Sequence, residues 1–572
     1  MVHIRGSLQA ALVGVLATSL AWGGLSATST AWAVDDIPRI CLSEVNVSKS
    51  FAADTSGLDD GVLILDGRTM TLADDSASWQ VYDPIDNTFN NRFHGMQWLV
   101  PWAIAGGDAV SLLVARDAAL PDPGSQADRT VLRGTGWTTG ANRLRQNTVN
   151  CLYQLTGDER LLPIIERIVA VNIDPARYRG LPERPVHNHG MLANHSLIES
   201  ARVFDRPEWQ DIAFARMNAD AESVFAECGM SIEQSSSYHL TNLRIWERGL
   251  RRAGASDVVT TAGVARTIDR ARLAAVQLAR PDGFLEAIGN ANQRSVSAIV
   301  ADLAPDFRES LDPRLWCQRR GWAANRTSWD DTAIHYTLRF GPRRKMHGHF
   351  DHGSLTWFAQ GVPVLSDPGL FDKTRNGRYR DAVSMSAHSV LEPAGRSFGG
   401  RTRATLEDSP EGIDRYTLVS QHRGMKRTRS LEVSLNHSYL RVRDEARSRT
   451  PVQWLQHWQL EPQWEPFFGT TPWTPIAAHP NGQYLYAVCH SGISMRMTVG
   501  TQEHYPKWRT SVPGMSLQCG GMGRSVTFDT LLVVSTINGT LRWDRASGAY
   551  AVRGPDGSAS GGSASRGLIP AG

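Results

Sequence analysis

The spacing of apolar residues changes once along this chain, and that change constrains the fold more than any single motif. From about Asn87 to Leu285 apolar side chains recur every three or four residues, as in "ANRLRQNTVNCLYQLTG", "ERLLPIIERIVAVN", "LTNLRIWERGLRRAG" and "ARTIDRARLAAVQLA". That period lines one face of a helix, and Gly or Asp commonly ends each segment. After about Thr327 the period becomes two, in short runs such as "TAIHYTLRFG", "GSLTWFAQGVPVLSD", "RYTLVSQH", "SYLRVRD" and "VTFDTLLVVST". These runs are rich in β-branched and aromatic residues and bounded by turn residues, the pattern of antiparallel strands. Helices first and strands second predict a multidomain α and β chain, with an N-terminal α/α toroid or helical solenoid followed by a C-terminal antiparallel β-sandwich. No fixed-period repeat favours the solenoid.

The expected divisions are a signal peptide over 1–33, a toroid domain over 34–326, a β-sandwich over 327–550 and a flexible tail over 551–572. The first rests on a cationic head ending at Arg5, an apolar stretch from Leu8 to about Ala27, and small residues Ala31 and Ala33 in "AWAV". An uncleaved anchor is the alternative. No later segment is long and apolar enough to span a bilayer, so no stable membrane insertion is expected once the signal is removed. The last rests on the low-complexity "GPDGSASGGSASRG". Export to the periplasm or beyond permits disulfides. The six cysteines, at 41, 151, 228, 317, 489 and 519, stand singly with no CxxC, which argues against a cysteine metal site. Cys489 and Cys519 share the C-terminal region and are candidates to pair.

Three constellations carry chemistry. In "VHNHGMLANHS", Asn188 and His189 precede a helix expected from Met191, where they can donate to an anion or simply cap the helix. Asn194 and His195 fall inside that helix and read as structural. In "EQSSSYHL", Tyr238 stands at a helix entry as a proton carrier, or as a half-buried residue beside a serine cap. In "RRKMHGHFDHGSL", His347 and His349 are two apart, so in an extended chain both point to one face, roughly 6–7 Å apart. Asp367 in "VLSDPG" and His388 in "MSAHSV" follow, and two histidines with a carboxylate are ordinary zinc donors. A hydrated, histidine-rich bend is the bland alternative.

In their order and spacing the three blocks resemble the heparinase II/III-like polysaccharide lyases and related alginate lyases. Lesser echoes are "GWTTGANR", "RPDGFLEAIG" and "HRGMKRTRSLEV", so the resemblance runs over roughly residues 80 to 445. It implies an incomplete α/α toroid followed by an antiparallel β-sandwich, and β-elimination of a uronic-acid-containing glycan. It further implies that Asn188 and His189 neutralise the substrate carboxylate and that Tyr238 shuttles a proton. His347 would be a second acid/base group, and Tyr379 a weaker general acid. His349, Asp367 and His388 would hold a zinc ion that is mainly structural, with Asp351 and His352 fixing the loop. Two departures stand out: Asn290 where an acidic residue is expected in "AIGN", and Ser389 where an Asn is commoner after the histidine.

Cations fit a polyanionic partner, with Arg343, Arg344, Arg378 and Arg380 as candidate substrate contacts. The formal net charge is only +3, so such attraction has to be local. No nucleic-acid module is present in the pattern, and no nucleic-acid partner is expected. Two other readings remain at this stage. One is a toroidal glycoside hydrolase using acids such as Glu233 and Asp282; the other is a non-catalytic glycan-binding protein on the same scaffold.

Overall fold

The computed structural model describes residues 37–49, 52–72, 78–130, 134–179, 188–252, 258–301, 311–396, 398–467, 471, 473–491 and 497–563. The expected signal peptide lies outside them. The chain divides into two compact units, residues 1–218 and 219–572.

The first unit is helical. The helix Thr139–Thr156 is its centre, packed by Arg39–Lys49, Asn87–Gly95, Leu162–Ile173 and Asn188–Val203. Its start is capped by the Thr138 side chain and its end by Gly157 in the left-handed conformation, as helix termini require. Inward positions Ala141, Val149, Cys151 and Leu152 are buried, and Cys151 is bonded to Cys41.

The second unit is layered. A five-stranded antiparallel sheet runs in chain order from Leu315–Cys317 through Trp322–Arg326, His335–Arg339 and Leu355–Ala359 to Val362–Leu365. Its central strands are buried at every residue, because both faces are covered. Trp322 and Ala324 pack with Leu240 and Ala274 of the helices Ser236–Leu250 and Val258–Gln277, and with Leu278 just past the second. Ala323, Tyr336, Leu338 and Trp357 share a core with Trp454, Trp458 and Leu517 of a ten-stranded antiparallel sheet. That sheet is built on two long strands, Tyr439–Gln459 and Val512–Ser535, paired from Tyr439↔Val533 to Gln459↔Ser516. Trp322, Trp357, Trp454 and Trp458 of these cores are fully buried, as are Trp79, Trp98, Trp137 and Trp246 elsewhere.

Two sequence expectations meet a different arrangement. The compact units divide at 218/219, not at the helix-to-strand change near 326. Helices after 218 cover the five-stranded sheet, and the Cys228–Cys317 disulfide ties them to its first strand. The expected tail begins as structure: Ala549–Arg553 and Ala559–Ser563 pair in a three-stranded sheet with Thr540–Trp543. Its glycines read as low complexity, but a Cβ at Gly561 would lie 2.5 Å from the Tyr550 carbonyl oxygen. The small residues there allow close packing. Cys489 is bonded to Cys519. Among the described residues no helix is long and apolar enough to cross a membrane.

Candidate active site

The site in the second unit is assembled where three loops meet. Ser235 caps the helix Ser236–Leu250, accepting from the Tyr238 amide. The same serine run is stitched to the segment 286–292: Ser236 Oγ donates to the Glu286 carbonyl at 2.5 Å, Ser235 Oγ to that of Asn290 at 3.1 Å, and Ser237 Oγ to that of Asn292 at 3.1 Å. Gly289 is the crossing point. Its φ is +73°, and a Cβ there would lie 2.6 Å from the Gln234 carbonyl oxygen and 2.7 Å from that of His347. Only glycine satisfies both conditions.

The histidine block is a turn-rich loop between the strands His335–Arg339 and Leu355–Ala359, not the extended strand expected. The Gly348 amide donates to the Lys345 carbonyl at 2.9 Å, closing a turn with Met346 (φ +48°) and His347 at its centre, and this breaks the alternation on which a common face for His347 and His349 depended. His347 is partly exposed, its ring stacked on that of Tyr238 with centroids 3.4 Å apart. Its Nε2 lies 3.3 Å from Oε2 of the buried Glu233. Lys373 Nζ is 5.3 Å from the centre of the Tyr238 ring. A tyrosine, an imidazole and a carboxylate in this order can move a proton at a glycan carbon or oxygen.

His349 points into the protein and is fully buried. With Asp367 and His388 it forms a group whose donor atoms all lie within 4.8 Å of one another. His388 Nδ1 is 2.8 Å from Asp367 Oδ2. Burial pushes His349 well below the usual imidazole range, and the neighbouring His388 adds to this. Burial likewise opposes charge on His388, but Asp367 beside it more than compensates and raises it. The Asp367 carboxyl is raised, burial outweighing the attraction of His388. His349 Nδ1 and His388 Nε2 are both buried with no hydrogen-bond partner. Such orphaned atoms are costly, and a cation supplies what they lack. Two imidazole nitrogens and a carboxylate fit zinc.

The remaining sequence candidates are distributed. Arg344, Tyr379 and Arg380 line a cavity of about 470 Å³, with Phe350, Glu392 and Arg396 on its wall. Arg344 donates to the Gly348 carbonyl at 2.6 Å and to the Tyr379 hydroxyl at 3.3 Å, so the cavity adjoins the histidine loop. Arg378 stacks on Phe371, and Arg343 is exposed, its carbonyl accepting from Gln234. Neither lines the cavity. Asp351 is buried against Arg339 at 3.4 Å, and His352 Nδ1 is 3.2 Å from the Gly400 carbonyl oxygen. Asn188 and His189 belong to the first unit, where they form the opening turn of the helix Asn188–Val203, three residues earlier than expected. Asn194, inside it, donates to the Tyr178 hydroxyl at 2.9 Å.

Three residues take places in the site that sequence reasoning did not give them. Gln234 clamps the loop, donating to the Arg343 carbonyl at 3.1 Å and accepting from the Lys345 amide at 2.7 Å. Glu233 had only been a candidate hydrolase acid, and Asn290 only a departure. Asn290 Nδ2 is 3.1 Å from His347 Nδ1, and its Oδ1 is 3.0 Å from His349 Nε2. The two candidate hydrolase acids are each held by a basic side chain, Glu233 by His347 and Asp282 by Arg280 at 2.6 Å.

Residues 320–510 match the family described as heparinase II/III-like, C-terminal. This segment is a heparinase II/III-like C-terminal domain. His347, His349, Asp367, Tyr379 and His388 all lie inside the heparinase II/III-like domain. Among solved structures, a mutant of the heparan sulfate lyase HepC from Pedobacter heparinus is similar at 14% identity, covering 99% of this chain and 96% of that one with a TM-score of 0.60. A heparinase III is similar at 12% identity, over 97% and 95% of the two chains, with a TM-score of 0.65. A second heparinase III, the BT4657 gene product, is 13% identical over 97% and 95%, with a TM-score of 0.61. No curated protein matches the chain. At these identities the likeness is one of fold, a helical toroid followed by an antiparallel β-sandwich domain.

Proposed function

We propose that this protein is an exported polysaccharide lyase that cleaves a uronic-acid-containing polysaccharide by β-elimination. The observation that carries the reading is the Tyr238–His347 stack with Glu233 behind it. The heparinase II/III-like domain and the lyase neighbours support the reaction class. Three disulfides fit export to the periplasm or beyond.

In the reaction the C5–H bond breaks, its electron pair forms the C4–C5 double bond, and the C4–O4 bond breaks to expel the leaving sugar. Tyr238 takes the C5 proton, protonates the leaving oxygen, or does both. His347 serves as the second acid/base group for a proton on the opposite face of the ring. Removing that proton places charge on the C5 carboxylate, which Asn188 and His189 neutralise. Arg344 and Arg380, in the cavity, and the exposed Arg343 and Arg378 contact acidic groups along the glycan, with Tyr379 as a weaker general acid. His349, Asp367 and His388 would hold zinc, which ties the histidine loop to the segments carrying Asp367 and His388.

Incubation with a panel of polyuronates and glycosaminoglycans tests the proposal. The expected outcome is new ultraviolet absorbance from an unsaturated uronate. Reducing ends without that absorbance would mean hydrolysis, and binding without either product would mean a non-catalytic glycan binder.

A further inference from the structure

We propose that Asn290 is a positioning residue that couples the His349–Asp367–His388 cation site to the tautomer of His347. The inference rests on reading those three residues as a cation site and His347 as an acid/base group.

Asn290 is held firmly on its backbone. Its amide donates to the His347 carbonyl at 2.7 Å, and its own carbonyl accepts from Ser235 Oγ at 3.1 Å. Its side chain lies between two rings, with Nδ2 3.1 Å from His347 Nδ1 and Oδ1 3.0 Å from His349 Nε2. A cation needs an unprotonated ring nitrogen. On His349 that nitrogen is Nδ1, which is buried and has no hydrogen-bond partner. A cation at Nδ1 leaves the ring proton on Nε2, which donates to Asn290 Oδ1. The amide is thereby oriented, and its NH₂ donates to His347 Nδ1. His347 then carries its proton on Nε2, the nitrogen 3.3 Å from Glu233. The reversed amide would need a lone pair on His349 Nε2 and a proton on Nδ1, where the cation sits. One side chain therefore links cation occupancy to the face His347 presents, a role partners of metal-bound histidines commonly have. An acidic residue at 290, the type the family resemblance leads one to expect, could accept from both rings and donate to neither. The coupling belongs to asparagine.

Two measurements that need no glycan turnover test this on the full-length protein. Zinc affinity is read by competition with a chromophoric chelator. The tautomer is read from ¹⁵N spectra of histidine-labelled protein, with the His347 signal identified by its loss in His347→Gln. Zinc-loaded wild type should show His347 with Nε2 protonated, and stripping the zinc should release that preference. Asn290→Asp should keep zinc affinity near wild type while moving the His347 proton to Nδ1. Asn290→Ala should weaken zinc by about 10–100-fold. An Asn290→Asp variant with the wild-type tautomer would overturn the proposal. So would wild-type zinc affinity in Asn290→Ala, or a tautomer unchanged on stripping wild type, which needs no variant to fold. A protein without lyase activity would leave all these outcomes readable.

Discussion

The rings of Tyr238 and His347 lie face to face, 3.4 Å between centroids and 8° from parallel. The stack joins a residue of the helix Ser236–Leu250 to one of the histidine loop. Each is fixed from its own side, Tyr238 by the Ser235 cap and His347 by Asn290. Tyr238→Phe keeps the ring and the stack and removes only the hydroxyl. It should lower kcat by about 10²–10⁴-fold, the usual contribution of a positioned acid or base, and leave KM and glycan affinity nearly unchanged. Steady-state kinetics on the substrate identified by the ultraviolet screen would check this. A kcat close to wild type would remove Tyr238 from proton transfer.

His349→Ala and His388→Ala should each abolish stoichiometric zinc, measured by elemental analysis of the purified protein. The reason is local, since each replacement removes one of the orphaned ring nitrogens. Chelation of the wild type should lower the melting temperature, because a ligand at about 100 times its Kd adds about 2.7 kcal/mol to stability. Full zinc occupancy in His349→Ala would exclude this site.

How far the sequence carried the site is visible in single residues. The family resemblance gave His347 and His349 different roles, and the structure leaves His347 partly exposed while it groups the buried His349 with Asp367 and His388. Asn290 was visible only as a mismatch. Its contacts with His347 and His349 span nearly sixty positions and depend on Gly289 crossing two carbonyls, which no local pattern encodes. A common face for His347 and His349 holds only in an extended chain, and the turn from Lys345 to Gly348, with Met346 at positive φ, is not signalled by methionine. The period-two runs located the strands well. They could not show that helices after residue 218 cover the first sheet, since an amphipathic face does not name its partner.

Arg429 ties the "RTRSLEV" run to the histidine loop and to the segment after His388 by hydrogen bonds. Its guanidinium pairs with Asp444 at 2.7 Å, and Nη1 donates to the carbonyls of Gly353 at 2.6 Å and Ser389 at 2.7 Å. Ser389 follows His388, and Gly353 follows His352. Replacing Arg429 by Leu leaves the Asp444 carboxylate buried with Gln456 as its one remaining side-chain donor among the described residues, which should cost about 3–5 kcal/mol. Urea unfolding should show this as a lower midpoint. Arg429→Leu should also weaken zinc, as the loop behind His388 loses its brace. A midpoint within error of wild type would show that the pair is dispensable.

His239 should make the protein acid-labile. It is fully buried, with Nδ1 3.3 Å from the Ser231 amide nitrogen and Nε2 3.0 Å from the Ala271 carbonyl oxygen. The first contact requires a lone pair and the second a proton, so the folded state holds the ring neutral. Burial lowers its pKa from 6.5 to about 4, the Ala271 carbonyl opposing this only in part. Between those values the unfolded state binds more protons than the folded one. The stability tied to neutral His239 is therefore complete above pH 6.5 and is lost as pH falls toward 4, by up to about 3 kcal/mol. Glu286 acts in the opposite sense, since burial raises it to about 7 and its contribution is lost as pH rises toward that value. Comparing wild type with His239→Gln cancels Glu286 and isolates the histidine. Urea midpoints from pH 6.5 to 4 should fall less steeply in His239→Gln, even if the variant is weaker at neutral pH. Equal slopes would mean that His239 does not set the acid limit.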